Sequence, residues 1–171
     1  MKSYFTWENY GIFHFAGAPD SGFLRDIKLY TQELLENKTI FWFDFPNRFS
    51  SYSFEKTKHL DSLYVFQPDS LDTSVAIIDN LEYRYFISSP KIIPYLIIAD
   101  FPFWYSLQTG VKKPVLTKLA FIISWLSSYS IKYKLKVLVV NELRIDIESG
   151  SVKPYLDFLI HRYTTENYYK E

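Results

Sequence analysis

The sequence contains no cysteine, and among its 171 residues only five are glycine and one is methionine. Without cysteine the chain can form no disulfide, thiolate zinc site, iron–sulfur cluster or cysteine nucleophile. Long hydrophobic runs are also absent, since the most apolar segments, 92–99 and 119–126, are far shorter than the ~18 residues of a membrane span. The first eight residues lack the continuous apolar stretch of a signal peptide. We therefore expect a soluble, cytoplasmic protein with no membrane segment.

An excess of charge of either sign is missing too. Lysine and arginine together number 19, aspartate and glutamate together number 19, and the formal net charge is zero. This balance excludes a highly charged disordered chain and argues against a globally basic nucleic-acid-coating protein. What the chain has instead is apolar surface, with 48% hydrophobic and 20% aromatic residues. That composition and length predict one domain, residues 1–171, with a single substantial core.

Short apolar and β-branched runs alternate along the chain with segments of helical period. This alternation predicts an α/β domain with a mostly parallel sheet and helices on both faces, its core spanning about residues 11–164. The predicted strands are 11–16, 39–43, 63–66, 95–99, 136–140 and 155–160, and the predicted helices are 21–37, 53–60, 71–81 and 114–129. Functional sites in such folds lie at the carboxyl ends of the strands. The segments that follow the strands are therefore the informative ones: 17–22, 44–47, 67–70, 100–104 and 141–144.

Taken in order, these strand ends resemble those of a RecA-type recombinase core, in particular the RadA proteins of archaea and their paralogues. The turn at residues 17–22 resembles a phosphate-binding loop, and the apolar strand that ends at Asp100 resembles a Walker B strand. Further similar segments are Phe-Gln-Pro-Asp at 66–69, Asn-Glu-Leu-Arg at 141–144 and a closing strand at 155–163. The resemblance covers nearly the whole chain and implies a P-loop ATPase core that lacks the family's N-terminal domain.

The phosphate-binding motif, G-x-x-x-x-G-K-[ST], is degenerate here. Its lysine reaches the β- and γ-phosphates, and its hydroxyl residue binds Mg²⁺. Phe23 and Leu24 occupy these two places, Asp20 adds a negative charge, and Pro19 removes an amide donor. The complete degenerate loop is Gly17, Ala18, Pro19, Asp20, Ser21, Gly22, Phe23 and Leu24.

Two further departures concern catalysis. Pro46 stands where the family has a catalytic glutamate, and Glu142 stands where it has a glutamine that senses the γ-phosphate. The resemblance therefore implies a pseudo-ATPase without cofactor, metal or small-molecule substrate. It implies an accessory or regulatory subunit in homologous recombination and DNA repair, with a RadA-type recombinase or another paralogue as its partner.

Aromatic and basic residues are the candidates for partner contacts. Phe5, Trp7 and Trp104 are candidate interface residues, although Phe5 and Trp7 could instead cover the chain's own core. Lys112 and Lys113, in the place of the family's first DNA-binding loop, are candidate DNA contacts, and they could equally border a protein interface. Arg144, which precedes the place of the second such loop, is a third candidate DNA contact.

Two other functions stay open at this point. One is an unusual P-loop ATPase in which Arg25, Lys28 or a partner's lysine replaces the missing lysine. The other is an α/β scaffold subunit of an unrelated complex. Asp44 and Asp100 could also form a carboxylate pair, because both follow predicted strands.

Overall fold

The computed structural model of the protein describes residues 5, 7–45, 59–88, 91–106, 113–145 and 150–170. A seven-stranded sheet runs through its centre in the order β3-β2-β4-β5-β1-β7, with β6 paired to β5 outside this path. Every pairing is parallel except that of β5 with β6. The strands are β1 (Gly11–Gly17), β2 (Ile40–Phe43), β3 (Leu63–Phe66), β4 (Leu96–Ala99), β5 (Lys136–Ile145), β6 (Val152–Pro154) and β7 (Glu166–Lys170).

Helices cover both faces of this sheet, so the predicted α/β class with a mostly parallel sheet is confirmed. They are α1 (Phe23–Leu34), α2 (Leu71–Leu81), α3 (Phe103–Ser106), α4 (Lys113–Tyr133) and α5 (Asp157–Ile160), with a 3₁₀ turn at Leu60–Ser62 and a π-helical segment, Glu82–Ile87, continuing α2. The apolar side chains of α1 join one core cluster, whereas those of α2, α4 and α5 join the other. The Ser70 hydroxyl begins α2 by accepting a hydrogen bond from the Thr73 amide at 3.1 Å.

The central strands are buried on both sides, as their continuous apolar sequences predict. In β4, Ile97 and Ala99 point into the cluster under α2 and α4, while Leu96 and Ile98 point into the cluster under α1. The period of two in a strand explains this division, because successive side chains leave opposite faces of the sheet.

The predicted closing strand at 155–160 is wrong. Leu156 adopts a left-handed conformation, with φ of 56°, and the short helix α5 follows it. Leu156, Leu159 and Ile160 are buried at helical spacing against the cluster under α4. The strand that closes the sheet is β7, which lies beyond the predicted end of the core at residue 164 and pairs with β1. β7 is an edge strand with polar residues, so it carries none of the continuous apolar pattern of a central strand.

The strand after α4 is longer than predicted. It continues past residue 140 to Ile145 and forms an antiparallel hairpin with β6, in which Arg144 lies opposite Lys153. Gly150, just before β6, has φ of 66°, which favours glycine. The predicted helix at 53–60 falls almost entirely outside the described residues.

One described helix, α4, is long and apolar enough to cross a membrane by length and composition alone. It lies along the sheet, however, and its inner side chains Leu119, Ile122, Ile123 and Leu126 are fully buried in the core. A core helix with these contacts passes the same test of length and composition, so α4 gives no sign of a membrane span.

Candidate functional site

The sheet reverses its winding direction between β1 and β5. From β1 the chain crosses to β2 on one side, whereas from β5 it continues to β7 on the other side. Such a switch point opens a crevice at the carboxyl ends of the two strands, where ligands of open α/β sheets bind. A crevice of about 400 Å³ lies there, lined by Ala18, Pro19, Leu143, Arg144, Ile145 and Val152. Its lining is mainly aliphatic, with Arg144 as its one charged residue.

The turn after β1, which borders this crevice, is closed by its own hydrogen bonds. The Ser21 amide and hydroxyl both donate to the Ala18 carbonyl, at 3.1 and 2.8 Å. The Ala18 amide donates to the carbonyl of Lys170 at the end of β7, at 2.9 Å. Gly22 has φ of 74° and precedes α1 without a side-chain cap. The turn is therefore held both internally and by the neighbouring strand.

Phe23 points from this turn into the core. Its side chain is fully buried, and a Cβ atom added to Gly17 would lie 2.3 Å from Phe23 Cγ. The ring therefore packs directly on Gly17, and this packing requires glycine there. In the resemblance to a phosphate-binding loop, residue 23 takes the place of the lysine. That place therefore holds a core side chain and presents no cation to the crevice.

Charged residues around the turn are of both signs. Asp20 is exposed, as is Arg25 on α1. Lys170 pairs with Asp26 in the first turn of α1, with 2.5 Å between Nζ and Oδ2. Lys28 lies six residues beyond Gly22, or about 9 Å further along the axis of α1. The carboxylate of Asp26 thus neutralises the lysine that the fold brings beside the turn.

Asp44 and Asp100 directly follow β2 and β4, which are neighbouring strands of the sheet. Both are buried, and their strands pair in register up to Phe43 and Ala99. Gln67 Nε2 donates to Asp44 Oδ2 at 2.9 Å, and the Asp100 amide donates to the Phe43 carbonyl at 3.3 Å. Throughout the described part of the chain no three His, Asp or Glu residues gather into a metal-binding group. Pro46, which stands where the resemblance implies a catalytic glutamate, lies outside the described residues.

A polar network that the sequence does not reveal joins β1, β5 and β7. His14 is fully buried, and its Nδ1 lies 3.0 Å from Asn167 Oδ1 while its Nε2 lies 3.1 Å from Asn141 Nδ2. Asn141 Nδ2 also donates to the Tyr155 carbonyl, and its Oδ1 accepts from the amide of half-buried Glu142. An amide nitrogen only donates hydrogen bonds, and an amide oxygen only accepts them. The His14 ring therefore accepts at Nε2 from Asn141 and donates from Nδ1 to Asn167.

With one ring nitrogen donating and the other accepting, His14 is a neutral histidine. Burial lowers the pKa of His14 to about 4, and the hydrogen bond to Asn167 opposes the shift without cancelling it. The alternation of His14 with Phe13 and Phe15 indicates a strand residue, but its partners are 127 and 153 residues away. Only the register of the three strands brings them together, and no local pattern reports it.

Phe5 and Trp7, candidate interface residues, belong to the chain's own core. Trp7 stacks on Phe13 with 4.1 Å between ring centroids, and Phe5 stacks on Tyr30 of α1 at 4.4 Å. Lys136 Nζ donates to the Trp7 carbonyl at 2.6 Å and thereby fixes the segment. The alternative that these two aromatic residues cover their own core is confirmed, because only 9% of Phe5 and 5% of Trp7 is exposed.

The remaining predicted contact residues are Trp104, Lys112, Lys113 and Arg144. Trp104, on α3, is half-buried against the cluster under α4, and its Nε1 has no acceptor among the described residues. Lys113 is exposed at the start of α4, and Lys112 lies outside the described residues. Arg144 is exposed and lies over the Tyr155 ring, 5.0 Å from its centroid.

No family model matches this sequence, and no curated protein matches it. The resemblance to recombinases accordingly depends on the strand-end residues alone.

Proposed function

We propose that the protein is a non-catalytic RadA-like paralogue, an accessory or regulatory subunit that acts through protein contacts in homologous recombination and DNA repair. The observation that carries the proposal is the position of Phe23. Its ring fills the space against Gly17, inside a turn that otherwise occupies the place of a phosphate-binding loop.

The surroundings of the turn support the same reading. The Ala18 carbonyl accepts two hydrogen bonds from Ser21, and Lys170 is paired with Asp26. A nucleotide phosphate needs free amides and an available cation, and each lost charge-assisted bond costs roughly 1.5–3 kcal/mol. The sheet is present, but Phe23 fills the place of the phosphate-binding loop. This combination fits a subunit that binds a partner protein better than one that hydrolyses ATP.

The first experiment measures ATP turnover and binding of a fluorescent ATP analogue by the pure chain. We expect no turnover above buffer and no saturable binding. The matched control is Asp100→Asn, which removes the carboxylate at the end of the Walker-B-like strand. Stoichiometric turnover that this substitution abolishes would replace the proposal with the unusual P-loop ATPase.

The second experiment identifies the partner. The tagged chain is isolated from the organism that encodes it after nuclease treatment, and bound proteins are identified by mass spectrometry. We expect a RadA-type recombinase or a further paralogue, whose binding is then reconstituted from pure components. Recovery of an unrelated complex in fixed ratio would establish the scaffold function and refute the recombination role.

A further inference from the structure

The outer surface of α4 carries no charge over most of its length. Residues 119–131 contain no acidic or basic side chain, and this segment extends about 18 Å along the helix axis. We call the exposed residues on this side the uncharged face, and they are Thr117, Phe121, Ser124, Ser128 and Ile131. The largest of them are conspicuously open to solvent, with Phe121 38% and Ile131 66% exposed.

The other long helices do not share this feature. The exposed side of α1 carries Arg25 and Glu33, and that of α2 carries Asp72 and Asp79. Charged residues are the normal content of a solvent-facing helix surface. Depletion of charge combined with exposed aromatic and aliphatic side chains is the composition of an interface core.

The lysines at the two ends of the uncharged face are directed away from it. Lys118 pairs with Asp72 of α2, and Lys132 pairs with Glu82 of the π-helical segment. Both carboxylates lie on the side of α4 that faces α2. The cations are therefore neutralised by neighbours, and they leave the uncharged face open between them.

We propose that the uncharged face is the interface of a homodimer, in which α4 of one copy packs antiparallel against α4 of a second copy about a two-fold axis at the level of Leu126. This proposal goes beyond the proposed function and does not depend on a recombination partner.

The residue pattern is self-complementary under this symmetry. The axis relates the level of Ser124 to that of Ser128 in the other copy, so small side chains meet at the centre and allow close approach. It also relates the level of Phe121 to that of Ile131, so large apolar side chains lie at both ends. Because a two-fold interface uses the same patch twice, such complementarity within one helix is what it requires. Antiparallel packing also places opposite helix dipoles together.

Two further features favour a second copy as the occupant. The net charge is zero, so two copies meet without net electrostatic repulsion, and chains of zero net charge tend to associate. At the Ile131 end of the helix lies a cleft of about 170 Å³, bordered by Tyr10, Ser127 and Tyr163. The symmetry brings the Phe121 end of the second helix over this cleft, which offers a recess to its side chains. Since specific interfaces bury about 800 Å² per partner, we expect Tyr10 and half-buried Trp125 to be covered as well.

The test is sedimentation equilibrium of the full chain over a range of concentrations. We expect a dimer whose dissociation constant rises at least about tenfold in Phe121→Asp and in Ser128→Glu, because a charge in the centre of an interface removes a main contact. The matched control is Tyr83→Asp, which adds the same charge at a residue that is 75% exposed on the π-helical segment. This control should leave the dimer unchanged, and circular dichroism verifies that all variants fold.

Because the chain has no cysteine, introduced thiols report the direction of packing. A mixture of Ser124→Cys and Ser128→Cys chains should form the mixed disulfide in preference to either self-disulfide, since only the mixed pair lies at matching levels. A chain that is monomeric at every concentration, a dimer insensitive to Phe121→Asp, or preferred self-disulfides would overturn the proposal. Binding of the monomer to phosphatidylcholine vesicles, lost in Phe121→Asp, would overturn it in favour of a lipid-facing helix.

Discussion

His14 carries a titratable ring on β1, between β5 and β7, where Asn141 and Asn167 bind both ring nitrogens of the neutral form. We predict that the protein loses stability as the pH falls from about 6.5 towards about 4. In this interval the unfolded chain binds a proton at His14, whereas the folded chain does not, so protonation favours the unfolded state. The shift corresponds to a loss of the order of 3 kcal/mol across the interval. Urea unfolding at a series of pH values measures it.

Two substitutions separate this effect from the general acid sensitivity of the protein. His14→Gln cannot titrate, so its free energy of unfolding should change less between pH 7 and pH 4 than that of the parent chain. His59→Gln is the matched control, because it makes the same replacement at an exposed residue. Equal pH dependence in the parent and in His14→Gln would show that His14 does not control acid stability.

At the scale of the elements, local pattern succeeds where an element is buried along one face or covered on both. The helix predicted at 71–81 and the strand predicted at 63–66 coincide with α2 and β3. The segment 155–160 is also rich in apolar residues, but it is too short for periodicity to distinguish a strand from a helix. In the structure Leu156 is left-handed and buried, and the helix α5 begins directly after it. Edge strand β7 has no apolar signal, because only pairing with β1 defines it.

The turn that joins β1 to α1 illustrates the same limit within the candidate site. Its two glycines and its place after a strand are visible in the sequence, but the inward direction of Phe23 is not. We predict that Gly17→Ala and Phe23→Ala are each destabilising, the second by about 3–5 kcal/mol. The added Cβ of Gly17→Ala would collide with the Phe23 ring, 2.3 Å away at Cγ, so the double variant should be more stable than the sum of the single effects implies. Chemical denaturation of all four proteins measures this coupling, and strict additivity would show that the ring does not pack on Gly17.

For the molecule as a whole, the described helices cover the two faces of the sheet unequally. Phe5 and Trp7 pack on the face with fewer helices. Residues of α2, α4 and α5, together with Trp104 of α3, belong to one core cluster. Within the described residues α1 is the one helix in the other cluster, to which Phe5 and Trp7 also belong. The strand ends that gather at one edge follow from the alternation of elements. The side chains that fill the second face do not, because Trp7 reaches Phe13 and Lys136 only in the assembled fold.

Trp7 forms part of the core on this second face. Trp7→Ala should lower the free energy of unfolding by about 3–5 kcal/mol, since it removes a large side chain that is 5% exposed. It should also increase binding of the dye ANS, because Phe13 and its neighbours on the α1 side lose their cover. Tyr83→Ala, at a residue that is 75% exposed, is the matched control and should change neither quantity appreciably. If Trp7→Ala is as stable as this control and binds no additional dye, Trp7 does not form part of the core on the α1 side.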